Sequence, residues 1–292
     1  MATLEISLLR DDFGAEIHGL NLSRPLSAVV LAALAQAYLQ HKVLLLRDQN
    51  LTLEAYTDFA RAWGAPRNDA FTEQNVAGFH DLSRLGNTGG LLEQERYRNG
   101  SCFWHTDCAA EEQADATTML YCERAPRSGG ETFVADLQAA YTGLKPKMRH
   151  RVRLLHAHYS YPGTRPSLDG REPDEIADVE YAEDTLAQLP SVKVRPLVRR
   201  HTSTGRKGLY CPAGSIVAIE GLEPEGSAKL LRALKRHATS DKFIYRHRYQ
   251  PGDLLLWDNA ATLHRAGFVG PVGEVGERRI YRIVSSGLPG CL

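Results

Sequence analysis

The chain has 292 residues, 43% of them hydrophobic and 24% charged, with basic and acidic residues balanced at 35 each. That length suits one large domain or two small ones, and the neutral balance gives no reason to expect nucleic acid or an anionic membrane as partner. Five cysteines (Cys102, Cys108, Cys122, Cys211 and Cys291), odd in number, irregularly spaced and without a CxxC pair, argue against a disulfide framework or zinc site and for a reducing compartment. No window approaches the ~18 apolar residues of a membrane helix. The opening Met1-Ala2-Thr3-Leu4-Glu5 lacks the basic head and apolar core of a signal peptide, so the expected location is cytoplasmic.

In chain order, the pattern predicts a strand at 3–10 and a second at 14–22 with a turn at Gly19. Ser27 can cap a helix running to about Gln40, with Val30, Leu31, Leu34, Ala35 and Leu39 on its core face. The apolar run 43–46 has strand length, and a helix over 53–63 is capped by Thr52 and stopped by Gly64. The stretch from about 66 to 100 is polar, rich in Gly and Asn and weakly periodic, which suggests a lid-like insertion. Short strands follow at 101–107, 117–123 and 131–135, then helical patches around 137–144 and 148–155. A charged, proline-bearing stretch from about 164 to 191 reads as a surface insertion. Strands resume at 192–199 and 208–211, and the basic cluster Arg199-Arg200-His201 reads as a solvated strand end. A helix at 227–238 carries Leu230, Leu231, Leu234 and Ala238 on one face, and strands at 243–249, 253–257 and 278–285 complete the set. Many short strands with few helices, no repeat and no linker indicate a barrel or sandwich braced by helices, in one domain spanning residues 1–292.

The most informative segment is Phe103-Trp104-His105-Thr106-Asp107. On a strand, the period of two would point His105 and Asp107 to one face. An imidazole and a carboxylate side by side are two thirds of a 2-His-1-carboxylate site, the ligand set of non-haem Fe(II) enzymes. His-x-Asp alone is weak, since a buried histidine bonded to a neighbouring aspartate gives the same pattern. Among eleven histidines, His264 stands out as the third ligand because it follows a turn, the apolar run 254–257 and the Trp257-Asp258-Asn259 end. His247 sits among arginines and is expected to be exposed, while His156 and His158 share a strand face but lack a matching carboxylate. Further on, Arg278 and Arg282 share one strand face with Ile280. Two guanidinium groups there suit a dicarboxylic acid or a second anion, and a solvated edge strand is the alternative.

Taken together these residues resemble the TauD/TfdA family of taurine and 2,4-dichlorophenoxyacetate dioxygenases over nearly the whole chain. The resemblance is carried by Gly14-Ala15-Glu16-Ile17 with Gly19, the run 43–48 with Gln49, and Trp104-His105-Thr106-Asp107. It continues through Ser128-Gly129-Gly130-Glu131-Thr132, Tyr245-Arg246-His247-Arg248, Gly252-Asp253, Trp257-Asp258-Asn259, His264 and Arg278-x-x-x-Arg282. It implies a mainly β fold with flanking helices around a double-stranded β-helix (jelly-roll) core. It also implies Fe(II) held by His105, Asp107 and His264, with 2-oxoglutarate and O2 as co-substrates. Thr132 and Arg278 would hold the distal carboxylate of 2-oxoglutarate, and Arg282 would lie near the co-substrate and an anionic group of the substrate. An inserted Gly273-Glu274-Val275-Gly276 looks like a hairpin tip and leaves the register open. A slip of one residue would put Arg279 and Ile283 in place of the arginine pair. Arg278 is preferred because it keeps that pair and a glycine at Gly287.

The activity so implied is hydroxylation of a small to medium, anionic organic substrate with release of succinate and CO2. Where the hydroxylated carbon bears a heteroatom, the product would fall apart and the outcome is cleavage. Asp107 argues against halogenation, because halogenating relatives lack that carboxylate. By rough position the substrate would meet Asn99, Ser101, Cys108, Tyr159, Ser160 and Tyr210. Two alternatives stand beside this: the same cofactor chemistry ending in desaturation or cyclisation, and a non-redox metal hydrolase using the same three ligands. Relatives of this kind often form dimers or tetramers, which makes a homo-oligomer an expectation.

Overall fold

The computed structural model describes residues 4–11, 13–67, 74–109, 115–160, 192–213 and 216–289. The surface insertion expected at 164–191 lies outside the described residues. The chain opens with β1 (Glu5–Leu8), β2 (Ala15–His18), α1 (Ala28–His41), β3 (Val43–Leu46), α2 (Leu53–Trp63), β4 (Ala65–Pro66), β5 (Ser83–Gly86) and α3 (Glu95–Arg98). It continues with β6 (Ala116–Arg124), β7 (Thr132–Asp136), α4 (Leu137–Thr142), α5 (Pro146–Val152), β8 (His156–Tyr159), β9 (Lys193–Pro196), β10 (Val198–Arg200), β11 (Lys207–Leu209) and β12 (Ile216–Ile219). It closes with α6 (Pro224–Ala238), β13 (Ile244–His247), β14 (Leu254–Asp258), β15 (Thr262–Ala266), α7 (Val272–Val275) and β16 (Arg279–Ser286).

An eight-stranded sheet in the order β1-β2-β3-β14-β6-β16-β4, with β5 also on β16, forms one layer. The sheet β13-β7-β15 faces it through Val134, and β12-β8-β9 and β10-β11 are two further sheets. This is the expected mainly β architecture with flanking helices and a jelly-roll core. Side-chain alternation explains how the layers meet. From β3, Leu44 and Leu46 pack beneath α1 and α2 with Leu34, Tyr38, Tyr56 and Trp63. Val43 and Leu45 face the other way, joining Leu120, Val134, Leu255, Trp257 and Ile280 between the layers. A strand covered on both faces reads as a continuous apolar run, which is why Val43–Leu46 shows no alternation.

The helices brace this sandwich. Ser27 caps α1 by accepting the Val30 N–H, and Thr52 caps α2 by accepting the Ala55 N–H at 3.2 Å. α2 buries Tyr56, Phe59, Ala60 and Trp63 on one face. Each large apolar side chain so buried is worth about 1.5–3 kcal/mol, and Trp63→Ala is expected to cost about 3–5 kcal/mol. On the opposite flank, α6 sets Leu230, Leu231, Leu234 and Ala238 against the core formed by α4, β8 and β12. Among the described residues, no helix is long and apolar enough to cross a membrane.

Several local expectations are corrected. The stretch 101–107 is a run of turns and not a strand, and its bridge to the sheet is the pair His105 and His264. Part of the polar insertion is an ordered strand, β5, paired to β16 from Arg279↔Gly86 to Arg282↔Ser83. The expected hairpin tip at 273–276 is instead the one-turn helix α7. His247 and His201 are both buried, because Asp253 lies 3.1 Å from the His247 ring and Asp258 binds His201 at 2.8 Å.

Candidate metal centre and co-substrate site

Three side chains meet between the two layers. β15 pairs with β7 so that His264 lies opposite Val134 and points into the space between the sheets. The neighbouring turn is strapped to β15 by reciprocal backbone hydrogen bonds, His105 N–H to His264 O at 2.9 Å and His264 N–H to His105 O at 2.8 Å. Thr106 donates its hydroxyl to Thr262 O, Asp107 N–H donates to Asn259 Oδ1, and Cys108 takes φ +62°. The turn thus brings His105 and Asp107 to one point without the strand period invoked from the sequence.

Asp107 Oδ1 lies 3.8 Å from His105 Nε2, and its Oδ2 lies 3.8 Å from His264 Nε2. The two imidazole rings are 4.2 Å apart at their centres. All three ligating atoms lie within 4.8 Å of one another, and among the described residues this is the group of histidine, cysteine and acidic side chains placed to hold a metal ion. The Nδ1 of His105 sits 2.8 Å from Phe103 O. A carbonyl can only accept, so Nδ1 carries the proton and the Nε2 lone pair is presented to the site. His264 is buried beside Trp257, with ring centres 4.6 Å apart. Burial, with His105 nearby, holds the His264 pKa well below the ordinary histidine value, which keeps the ring a neutral donor.

Burial would by itself raise the Asp107 pKa. Arg282, His264, His105 and the Thr118 hydroxyl outweigh it, and the carboxyl stays well below its usual range. Thr118 donates to Asp107 Oδ2 at 2.5 Å, and Arg282 approaches the same oxygen at 3.3 Å. Asn259 donates to Thr118 at 2.8 Å and accepts from Trp257 Nε1. An ionised carboxylate and the two Nε2 atoms turned toward it form a donor set that fits Fe(II).

A second cluster includes Thr132, which shares one face of β7 with Val134, the residue opposite His264. Arg278 is 4% exposed, and no carboxylate pairs with it among the described residues. Its Nε donates to Gly130 O at 3.3 Å. A Cβ on Gly130 would stand 2.8 Å from the Arg278 Cδ and Nε, so glycine is what lets the guanidinium lie here. Buried Thr132 sits on β7, where its hydroxyl meets Tyr249 Oη at 2.8 Å. A buried cation lacking a carboxylate, beside two hydroxyls, fits a carboxylate ligand. Arg279 points away and pairs with Glu123 at 3.0 Å and with Glu277. The structure therefore places Arg278, and not Arg279, inside.

The residues expected along the substrate path have these positions and partners. Asn99 is fully buried and brackets the Val269 peptide, donating to its O at 3.2 Å and accepting its N–H at 2.9 Å. Ser101 is exposed and its carbonyl accepts the Ala266 N–H. Tyr159 donates to Tyr210 O at 2.7 Å, Tyr210 donates to Ala109 O at 2.9 Å, and both rings lie in the core around Trp104. Ser160 is buried, and Cys108 is half-buried next to Asp107. Sequence reasoning missed Thr118, Tyr249 and Asn87; only the Trp257-Asp258-Asn259 end of β14 signalled the support around the carboxylate.

Residues 5–284 match the sequence model of the family described as taurine catabolism dioxygenase TauD, TfdA family. The chain is 33% identical to the (S)-phenoxypropionate/alpha-ketoglutarate-dioxygenase of Sphingobium herbicidovorans, covering 90% of this chain and 88% of the relative. It is 30% identical to the alpha-ketoglutarate-dependent 2,4-dichlorophenoxyacetate dioxygenase of Cupriavidus pinatubonensis, covering 87% and 88%. Among solved structures, AAD-2 in complex with Mn(II) and N-oxalylglycine superposes with a TM-score of 0.84 at 25% identity, covering 100% of both chains.

Proposed function

The chain belongs to the TauD/TfdA family and is a 2-oxoglutarate-dependent non-haem iron dioxygenase, and from that premise we propose how its residues divide the work and what it oxidises. His105, Asp107 and His264 hold Fe(II); Thr132 and Arg278 hold the distal carboxylate of 2-oxoglutarate; Arg282 stands between the co-substrate and an anionic group of the primary substrate. The observation that carries this reading is a 2-His-1-carboxylate group on a strand pair that also carries the second cluster: His264 lies opposite Val134 on β7, Thr132 shares that face of β7, and Arg278 is buried with no carboxylate partner among the described residues.

Bound together, Fe(II) and 2-oxoglutarate supply the activation of O2 coupled to oxidative decarboxylation, with release of succinate and CO2. The protein's part is binding, orientation and exclusion of water. Thr118 and Arg282 keep Asp107 ionised, and the Phe103 carbonyl fixes the His105 tautomer. Trp257 and the sheet packing keep His264 in place. Arg278 and Thr132 orient the co-substrate from its far end, so that its 2-oxo acid end is presented to the metal.

The primary substrate is a small to medium organic anion, hydroxylated at a C–H bond and cleaved when that carbon bears a heteroatom. The named relatives support this class, because phenoxypropionate and 2,4-dichlorophenoxyacetate are both aryloxyalkanoates. The cation at Arg282 supports it from the side of the site. A hydrolase reading has no support among these relatives.

The test is a panel assay. Purified protein with Fe(II), ascorbate and 2-oxoglutarate is offered aryloxyalkanoates, alkyl sulfates, sulfonates and amino acids, and succinate is quantified against oxidised product. One succinate per product on an anionic member is the expected result. Turnover confined to neutral or cationic compounds overturns the substrate class. Failure to bind iron or consume 2-oxoglutarate overturns the residue roles.

A further inference from the structure

We propose that Tyr249 is a third donor to the distal carboxylate of the co-substrate, completing with Thr132 and Arg278 a site that recognises a terminal carboxylate. The inference rests on the co-substrate site proposed above and adds to it a residue from a different element.

Tyr249 follows β13, while Thr132 opens β7 and Arg278 precedes β16. β13 and β7 pair with His247 opposite Thr132, which carries the next inward side chain, Tyr249, over the Thr132 hydroxyl. The two hydroxyls are 2.8 Å apart, and one hydrogen lies between them. Whichever donates, the other oxygen keeps its own O–H for an outside acceptor. Among the described residues neither hydroxyl has another partner. Arg278 spends its Nε on Gly130 O and has no carboxylate partner among those residues. The one remaining hydroxyl hydrogen and the terminal N–H groups of Arg278 thus have no acceptor among the described residues, and a carboxylate arriving there would accept from Arg278 and, by replacing the bond between the two hydroxyls, from both of them.

The phenol is suited to donating. Burial raises its pKa, more than Thr132 and Arg278 lower it, so Tyr249 stays protonated. Its ring is also held from behind. His247 packs edge-on at 4.5 Å between centres, and its own Nδ1 is hydrogen-bonded to Tyr245 Oη at 3.0 Å, with Asp253 Oδ2 3.1 Å from its Nε2. Asp253 is in turn held by Arg47 at 3.0 and 3.1 Å. This stack leaves the hydroxyl little freedom to turn away, so its role is to meet the charged end of a chain of fixed length.

The experiment compares wild type with Tyr249→Phe, which removes one oxygen and keeps the ring. Each protein is loaded with Fe(II) under anaerobic conditions. It is then titrated with 2-oxoglutarate and with 2-oxopentanoate, which has the same carbon chain without the distal carboxylate, by the visible absorption of the 2-oxo acid chelate. Loss of a hydrogen bond to a charged group predicts a roughly ten- to hundred-fold weaker Kd for 2-oxoglutarate. The Kd for 2-oxopentanoate should stay within about two-fold, as should the affinity for Fe(II). Equal weakening for both acids would mean that Tyr249 only supports packing, and no change for either would remove it from the site. A wild type that distinguishes neither acid would overturn the co-substrate site itself, a result separate from the failure of Tyr249 alone.

Discussion

The side-chain oxygen of Asn87 accepts the backbone N–H of Arg278 at 2.8 Å, while its amide nitrogen donates to Gly270 O at 3.1 Å and Gly276 O at 2.9 Å. One buried amide from the polar insertion therefore ties both ends of the loop carrying α7 to the start of β16. This contact sets where Arg278 enters the interior despite the extra residues before it. Asn87→Ala would leave one buried N–H and two carbonyls without their partner. It is expected to cost about 2–4 kcal/mol of stability and to weaken 2-oxoglutarate binding about ten-fold. Urea unfolding and anaerobic titration measure the two effects; a stability loss with unaltered co-substrate affinity would show that Asn87 holds the loop but not the arginine.

The two adjacent arginines make the register testable. Arg278 is buried over Gly130, whereas Arg279 lies outside between Glu123 and Glu277. Opposite them β6 carries one extra residue, since Arg279 pairs with Arg124 and Ile280 with Cys122. Arg278→Gln is expected to weaken 2-oxoglutarate binding by roughly 100-fold or more, because a buried carboxylate would lose its cation. Arg279→Gln removes exposed pairs worth about 0–1 kcal/mol and should leave that affinity within about two-fold. The opposite ranking in a direct binding titration would move the register by one.

Glu131 carries an acid-dependent part of the stability. Burial alone would raise its pKa, but the hydrogen bond from Arg246 at 2.6 Å and the nearby Arg248 lower it below the ordinary glutamate value. A carboxyl whose folded pKa is depressed stabilises the protein above its unfolded pKa of about 4.3 and loses that contribution as pH falls toward the folded value. Glu131→Gln should therefore be less stable than wild type at pH 7, with the gap closing between about pH 5 and 3. A gap in the urea midpoint that ignores pH would show that the charge of Glu131 does not contribute.

What the sequence revealed and what it concealed follow from the range of the contacts. Val43–Leu46, α1 and α2 were legible because apolar periodicity and the Ser27 and Thr52 caps are local. His105 and Asp107 were found as neighbours for the wrong reason, since a turn and not a pleat aligns them. His247 and His201 looked exposed because their sequence neighbours are charged; their partners Asp253 and Asp258 arrive from β14 and the turn before it. Asn87 and Asn99 sat in a polar stretch with no apolar period, and what fixes these two residues is hydrogen bonding to backbone far along the chain. Thr118 was hidden most completely. Thr117 and Thr118 are adjacent, and only the pairing of β6 with β14 and β16 decides that Thr117 meets Tyr38 and Trp63 while Thr118 meets Asp107.

That inward threonine yields the sharpest test of the carboxylate's support. Thr118 donates to Asp107 Oδ2 at 2.5 Å and accepts from Asn259 Nδ2 at 2.8 Å, so its hydroxyl orientation is set from behind. Partners of this kind orient a metal-binding carboxylate, and losing one typically costs about 10–100-fold in metal affinity. Thr118→Val keeps the shape and removes the donor, and it should weaken Fe(II) binding by about that factor. Thr118→Ser restores the hydroxyl and should stay within a few-fold of wild type, since the Asn259 bond can still aim it. Competition with a chelator of known affinity reads both. Equal losses in the two variants would assign the effect to packing on β6, and unchanged binding in Thr118→Val would mean that Arg282 alone is enough to hold Asp107 in place.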